Sequence, residues 1–282
     1  MPIVGTSDVA EAVKSDTSVI RNGSAVVGVR PHGSYSVNND RDAGGPTATQ
    51  IETKLESSFD DPRYYSSRSS LMTGLLSWYR FSEPSGVRKN STNDTTFSLA
   101  DNNTVARTHD GKIDDGAFFV DANNEYLDIA SSSALTTSPA FTIASWIKFT
   151  SVSVAQVVFS VWDYGHRRYQ ISLSSGVLYF NTSSNGSDSS SVNGGSLAAD
   201  TWYHMVVSYD GANRAVYINS VDVTAGVAAA SIWGSSTSSF KIGGAGQFGG
   251  TLSETAFWSR GLTETERSRL YNKGAGISYP GL

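Results

Sequence analysis

The run from Trp202 to Asn219, Trp-Tyr-His-Met-Val-Val-Ser-Tyr-Asp-Gly-Ala-Asn-Arg-Ala-Val-Tyr-Ile-Asn, limits the fold more than any other part of the chain. Tyr203, Met205, Val207 and Tyr209 alternate with Trp202, His204, Val206 and Ser208. A period of two marks a strand paired in a sheet, not a helix. Asp210-Gly211 reverses the chain, because glycine accepts the positive φ that tight hairpin turns need. Residues 215–218 return as the partner strand. Trp202 and Tyr209 read as core and turn residues rather than ligands.

The aromatic residues place the core. All six Trp (78, 146, 162, 202, 233 and 258) follow residue 71, whereas residues 1–70 hold only Tyr35, Phe59, Tyr64 and Tyr65 as large aromatics. Aromatic side chains dominate core burial, so residues 1–70 read as an extended N-terminal arm and 71–282 as the domain. Within the arm, Asn22-Gly23 between apolar runs predicts a hairpin over 18–30, and residues 31–48 carry loop chemistry. Thr49 and Glu52 form a capping box that opens a short helix over 49–59. Ile51, Leu55 and Phe59 make its apolar stripe. A helix this short is marginal alone in water, so the stripe is expected to dock on a partner or on the chain's own domain.

From residue 71 the texture is one of short strands between Gly/Ser/Asn turns: 74–81, 118–120, 125–129, 141–149, 157–162, 169–173, 177–181, the hairpin, 240–243 and 252–259. One helix follows, capped by Thr263 and Glu266, with Gly274 as its expected left-handed C-cap. This pattern predicts an all-β, antiparallel β-sandwich of the jelly-roll kind.

Several segments also resemble a known family. Residues 76–81 are similar to its opening apolar-x-Trp-Tyr-x-Phe strand, and 116–127 to its Gly-x-x-Phe segment, with Ala122 where Gly is usual. Phe141-Thr142-Ile143-Ala144-Ser145-Trp146-Ile147 is similar to its Phe-Thr-Ile-x-x-Trp strand. The close resembles it through Phe248, Gly250, Glu254, Phe257-Trp258, Arg260, Leu262, Thr263, Glu266 and Leu270-Tyr271. The family is that of laminin-G-like, concanavalin A-like (lectin/glucanase-type) jelly rolls. Ser253, where these domains often carry Asp, and Ser220, in place of a turn Gly, depart from it. The resemblance implies a binding or structural role, a fold shared with displayed domains of phage structural proteins, and calcium as the one ion such domains often hold.

Charge and composition exclude other classes. The net charge is −5, and Lys and Arg form no stripe, so nothing points to nucleic acid. There is no cysteine for a disulfide framework or thiolate zinc site. No apolar run approaches the ~20 residues of a membrane-spanning helix, and residues 1–8 lack the features of a secretory leader. Six Asn-x-Ser/Thr sequons, at Asn22, Asn90, Asn93, Asn102, Asn181 and Asn185, read as chance in a Ser/Thr/Asn-rich chain.

No catalytic set is found. Glycosidases of this architecture need two carboxylates facing one cleft, and Glu125 and Asp128 are an odd number of residues apart on one strand, which sends them to opposite faces. The four His sit in unrelated settings, and no Gly-x-Ser-x-Gly elbow occurs. No metal set is assigned either, since the loop acids Asp114, Asp115, Asp121, Asp163, Asp188 and Asp210 are not gathered in one ligating loop. The densest mix of aromatic and charged groups is Trp162-Asp163-Tyr164-Gly165-His166-Arg167-Arg168-Tyr169. Sugars stack on aromatic faces while polar groups orient them, which makes Trp162, Asp163, Tyr164, His166 and Arg167 the candidate glycan site. Trp162 and Tyr169 read equally as strand-end core residues flanking a solvated tip.

The reading is therefore a non-enzymatic structural protein of a virus particle, a capsid decoration or cement protein or a fibre-type appendage. Its arm would dock through Ile51, Leu55 and Phe59 on the major capsid protein or another virion subunit. The alternative is a glycan-binding adhesion module, and a third option is an accessory domain of an enzyme. No cofactor is assigned, and a trimer or dimer is expected because arms and sandwich edges meet around symmetry axes.

Overall fold

Residues 24–28, 34–38, 70–129, 135, 138–234, 236–244 and 247–279 are described in the structure, a computed structural model. The chain divides into two units, Met1–Arg68 and Ser69–Leu282. In the first, strand β1 (Ser24–Gly28) pairs antiparallel with β2 (Ser34–Asn38). The sequence reading had turned this strand back through Asn22-Gly23 and left 34–38 in a loop. The described partner of β1 lies downstream, where Ser34-Tyr35-Ser36-Val37 alternates weakly between polar and apolar. The predicted turn, the helix over 49–59 and its stripe Ile51, Leu55 and Phe59 lie outside the described residues.

The second unit is a β-sandwich. Its strands are β3 (Leu75–Tyr79), β4 (Ala100–Asn102), β5 (Ala106–Thr108), β6 (Gly116–Phe119), β7 (Tyr126–Ile129), β8 (Phe141–Phe149), β9 (Gln156–Val161) and β10 (Tyr169–Ser174). They continue as β11 (Val177–Thr182), β12 (Ser190–Ser196), β13 (Tyr203–Tyr209), β14 (Arg214–Ile218), β15 (Val221–Asp222), β16 (Phe240–Ile242) and β17 (Gly250–Trp258). One sheet has seven strands in the order β12-β11-β10-β9-β16-β7-β4. The other has eight, with β15-β14-β13-β8-β17-β6-β5 in line and β3 on β17. All these pairings are antiparallel. The strands absent from the sequence reading (β4, β5, β12 and β15) are short or Ser/Gly-rich, so their periodicity is weak.

Between the sheets, Phe159, Ile171, Phe180, Phe240, Ile143, Val207 and Phe257 belong to one buried cluster. Phe257 meets Phe240 edge-on with ring centroids 4.8 Å apart, a favoured aromatic geometry. A second cluster comprises Trp78, Ala144, Val206, Ala256 and Trp258 with Leu71, Leu262 and Leu270. Because side chains alternate along a strand, the neighbours Tyr79, Ile143, Val207 and Phe257 serve the first cluster while Trp78, Ala144, Val206 and Ala256 serve the second. The eight-stranded sheet is thus buried on both faces.

Helix α1 (Glu264–Tyr271) supplies part of the outer cover. Its capping box is the predicted one: Thr263 accepts from the Glu266 backbone N–H, and Glu266 accepts from that of Thr263. Burial opposes ionisation of Glu266, yet hydrogen bonds from Arg260, Ser70 and the Thr263 backbone outweigh it and hold the carboxyl at about 2. The C-cap is Asn272 at φ 45°, not Gly274; asparagine tolerates the left-handed conformation well enough to end the helix earlier.

The Trp202–Asn219 hairpin forms as read, with β13 between β8 and β14. Asp210 accepts backbone hydrogen bonds from Ala212 and Asn213 at 2.8 and 2.7 Å, so the turn explains this acid. Tyr209 is buried and its hydroxyl donates to the carbonyl of Gly211. Trp202 differs from the reading. It precedes the strand, half-buried, with Lys148 Nζ 5.1 Å from its ring centroid. A side chain just outside the pleat escapes the alternation that buries its neighbours.

Candidate functional site

Among the described residues, the seven-stranded sheet buries one face fully and the other only in part, as at Ser160. Along β10 the residues run buried, half-buried, buried, half-buried, and β11 alternates in the opposite phase. Register turns this into rows across the sheet. The apolar row joins Leu127, Ile242, Phe159, Ile171, Phe180 and Val192. The next row joins Asp128, Lys241, Ser160, Gln170, Asn181 and Ser191. It is polar throughout and points away from the core. Asn181 Nδ2 donates to Ser172 Oγ at 2.9 Å, which ties this row to the outward residues beside it.

At one end of this face lies the β9–β10 connection, the predicted site. The turn closes when the His166 backbone N–H donates to Asp163 O at 2.8 Å, and Gly165 takes φ +81° in it. Arg167 is central. Its guanidinium carbon lies 5.4 Å from the Trp162 ring centroid and 5.3 Å from that of Tyr164. Both distances are in the range of attraction between a cation and an aromatic face. Arg167 Nη1 donates to Ser187 O at 2.8 Å. Tyr164 is 78% exposed, the largest exposure among the large hydrophobic residues described. Asp163 faces Lys241 of the polar row, Oδ1 to Nζ 3.6 Å, which links the turn to the sheet face.

Two further loops complete the surface. His166 lies 5.8 Å, centroid to centroid, from Trp233, with its Nδ1 3.1 Å from Thr237 Oγ1, and its carbonyl accepts from Ser236 Oγ at 2.6 Å. Below the turn, Arg168 is 2% exposed and donates to the carbonyls of Trp233, at 2.7 Å, and Ser138. Burial pulls its pKa down, and carbonyls rather than a carboxylate satisfy its charge. The loop after β11 packs closely because Gly186, at φ +88°, leaves space: a Cβ there would come within 2.6 Å of Trp233. Asp188 braces that loop by accepting from Ser183 and Ser184; these hydrogen bonds lower its carboxyl to about 2.

The five predicted residues therefore share one turn, with Arg167 set against Trp162 and Tyr164. Asp163 is turned toward Lys241 and His166 toward Trp233. Trp162 is half-buried, which fits neither a core residue nor a fully exposed one, whereas Tyr169 is a core residue. Sequence reasoning missed Trp233, Ser187 and Lys241. Trp233 is remote in sequence and lies in a stretch with no periodicity. Lys241 was legible only as an outward residue of a strand whose neighbours were unknown.

The Asp188 carboxyl, held at about 2, carries no proton to donate at ordinary pH. Among the described residues no three of His, Cys, Asp and Glu gather as a metal-ligand set. His204 is buried, and burial lowers it to about 3, so it is neutral at ordinary pH.

Residues 121–266 match the family model of the concanavalin A-like lectin/glucanases superfamily. The chain belongs to that superfamily. Solved structures with the same fold include domain 4 of AbnA, an extracellular arabinanase from Geobacillus stearothermophilus, in complex with arabinotriose. It is 21% identical over 69% of this chain and 96% of that one, with a TM-score of 0.53. Botulinum neurotoxin type C, whose cell entry depends on interaction with two ganglioside molecules, is 12% identical over 76% of this chain and 53% of that one, TM-score 0.58. A Trypanosoma rangeli sialidase mutant displaying trans-sialidase activity is 12% identical over 81% of this chain and 40% of its own, TM-score 0.55. The chain thus spans about half of the toxin chain and less of the sialidase. At these identities the likeness is one of fold. A comparison with curated protein sequences gives no match.

Proposed function

We propose that this concanavalin A-like chain is a non-enzymatic structural protein of a virus particle that displays a glycan-binding sandwich. In this reading residues 1–70 anchor it to the particle, as a capsid decoration protein or a fibre-type appendage, and the sandwich projects to meet surface glycans. The observation that carries the binding half is the Trp162–Arg167 turn. An exposed tyrosine and a half-buried tryptophan flank a fixed guanidinium at the end of a polar sheet face, the combination of flat apolar surface and oriented donors that sugars require. Superfamily membership supports it, as do the arabinotriose complex of the arabinanase domain and the ganglioside dependence of the neurotoxin.

The anchoring half is supported by the division at residues 68 and 69 and by the scarcity of aromatic residues before it. A segment with few large apolar side chains gains order when it binds. Its stripe Ile51, Leu55 and Phe59 would meet the major capsid protein or another virion subunit. The free protein is expected to be a trimer or dimer and to need no cofactor. Sedimentation tests the first expectation, and a calorimetric calcium titration without heat or melting shift supports the second.

Two experiments test the two halves separately. Deleting residues 1–70 is expected to abolish attachment to particles while leaving the sandwich folded; attachment that survives the deletion refutes the anchor. A glycan array probed with the full chain is expected to give discrete hits, lost in Trp162→Ala. A flat array refutes the binding half.

A further inference from the structure

Resting on the glycan-binding reading, we propose that the ligand of the Trp162–Arg167 turn is an acidic glycan, whose sugar carboxylate docks on Arg167. The charge balance at this end of the sheet points there. Arg167 has no carboxylate at ion-pair distance among the described residues; the ion pairs on these loops reduce to Asp163 with Lys241. Arg168, beneath it, donates from its Nη atoms to carbonyls. Arg214 is a third such cation: it donates to Thr182 Oγ1 at 2.9 Å, Ser190 O at 2.8 Å and Val227 O at 2.8 Å, all neutral acceptors. Asp188 and Asp210 are the remaining acids; Ser183 and Ser184 donate to the first, and the Ala212 and Asn213 backbone N–H groups to the second. Arg167, Arg168, Arg214 and Lys241 against Asp163, Asp188 and Asp210 leave an excess of one positive charge on a chain whose net charge is −5.

The geometry of Arg167 selects a carboxylate over other anions. Its planar fork is held in place by the Trp162 and Tyr164 rings, and Ser187 O engages only one of the N–H groups on its Nη atoms. The Arg167 Nε is buried, so the donors open to a ligand are those on the Nη atoms. A carboxylate accepts two parallel N–H bonds from such a fork, and a fork fixed before binding loses little entropy on doing so. The adjacent tyrosine ring, 78% exposed, offers the face on which the sugar carrying that carboxylate would lie. A neutral sugar would leave the excess charge unmatched. Uronic and sialic acids join a carboxylate to a pyranose ring at the spacing of adjacent groups, which suits a donor and a stacking face 5.3 Å apart.

The test uses the full chain and matched ligands: an oligogalacturonate, a sialylated lactose, the methyl ester of each, and their neutral parents, with binding measured by calorimetry at physiological salt. At least one acid form is expected to bind roughly ten- to a hundredfold more tightly than its ester, the range for a charge-assisted hydrogen bond. Arg167→Lys, which keeps the charge and loses the fork, is expected to weaken the acid form about tenfold and to narrow the gap between acid and ester. Its melting temperature should match that of the wild type. Tyr164→Ala, at an exposed position, should weaken acid and ester equally.

Three results overturn the proposal. Esters or neutral parents that bind as tightly as the acids remove the acidic-ligand inference and leave glycan binding standing. Wild-type affinity in a folded Arg167→Lys removes the role of the fork. A panel that binds nowhere, together with a flat glycan array, removes the glycan-binding reading itself.

Discussion

The two sheets of the sandwich face the same core and are finished oppositely on their outer sides. In the eight-stranded sheet, β17 is buried at every position from Gly250 to Trp258. In the seven-stranded sheet, β10 and β11 bury alternate residues only. Where a second layer covers the sheet, apolar or hydrogen-bonded outer residues are favoured, because an unpaired buried polar group costs about 1–3 kcal/mol; His204 Nδ1, buried without a partner, is an exception. Ser253 shows the hydrogen-bonded case: its hydroxyl donates to the carbonyls of Ile113 and Asp115 at 3.2 and 3.1 Å. In the seven-stranded sheet, where no second layer of described residues covers the outer side, Gln170, Asn181 and Lys241 remain half-buried. One face is a second core; the other is polar and partly open.

Substitutions separate the two faces, with the largest effect in the second core. Trp258 donates from Nε1 to Leu71 O at 2.7 Å and meets Trp78 edge-on at 6.0 Å. Trp258→Ala is expected to cost about 3–5 kcal/mol in urea unfolding, the range for deleting a buried aromatic. A loss under about 1 kcal/mol would break the claim that this face is a core.

Next is Glu254, 4% exposed at φ 49° where the register between β17 and β8 shifts. Trp78 Nε1 and Ser278 Oγ donate to its carboxyl, but burial dominates and raises it to about 7. A carboxyl raised above its unfolded value near 4.5 favours the protonated folded state. The penalty of ionising it therefore grows as pH rises from about 4.5 to about 7 and is complete above that. A shift of this size corresponds to a loss on the order of 3 kcal/mol across the window. Melting followed from pH 4 to pH 8 should show the decline, and Glu254→Gln should flatten it. An equal decline in that variant would assign the effect to other groups.

Thr263→Ala removes the cap of the covering helix and should cost about 1 kcal/mol in thermal unfolding. The smallest expected effect lies on the open face. Gln170→Ala should change stability by no more than about 0.5 kcal/mol, as for other surface sites. If the face contacts an extended glycan, the same change will weaken binding; a stability loss as large as that of Thr263→Ala would show that the face is structural.

Local pattern made much of this legible. Alternation in 202–209 set Tyr203, Met205, Val207 and Tyr209 apart from Trp202, His204, Val206 and Ser208, and the Thr263/Glu266 spacing announced the helix start. The turn at Trp162–Arg168 stood out by composition alone. Less legible were Asn272, which ends the helix ahead of the expected Gly274, and Trp202, which sits half-buried outside its strand. The paths of Arg168 and Arg214 were not legible either. A buried arginine that bonds only carbonyls leaves no partner in the sequence to search for.

The sequence by itself determined that these residues would pair as short antiparallel strands and which side of most strands would be apolar, because the period of two is a local property. It also placed the aromatic and basic groups of one turn together by adjacency. Only the tertiary structure decided which sheet would carry a second core and which would stay open, since that depends on where the helix and the segment at 276–279 return. It alone brought Trp233, Ser187 and Lys241 to the Trp162–Arg167 turn, by aligning strand ends far apart along the chain. Sheet register, a property of pairs, turned scattered polar positions into one continuous row.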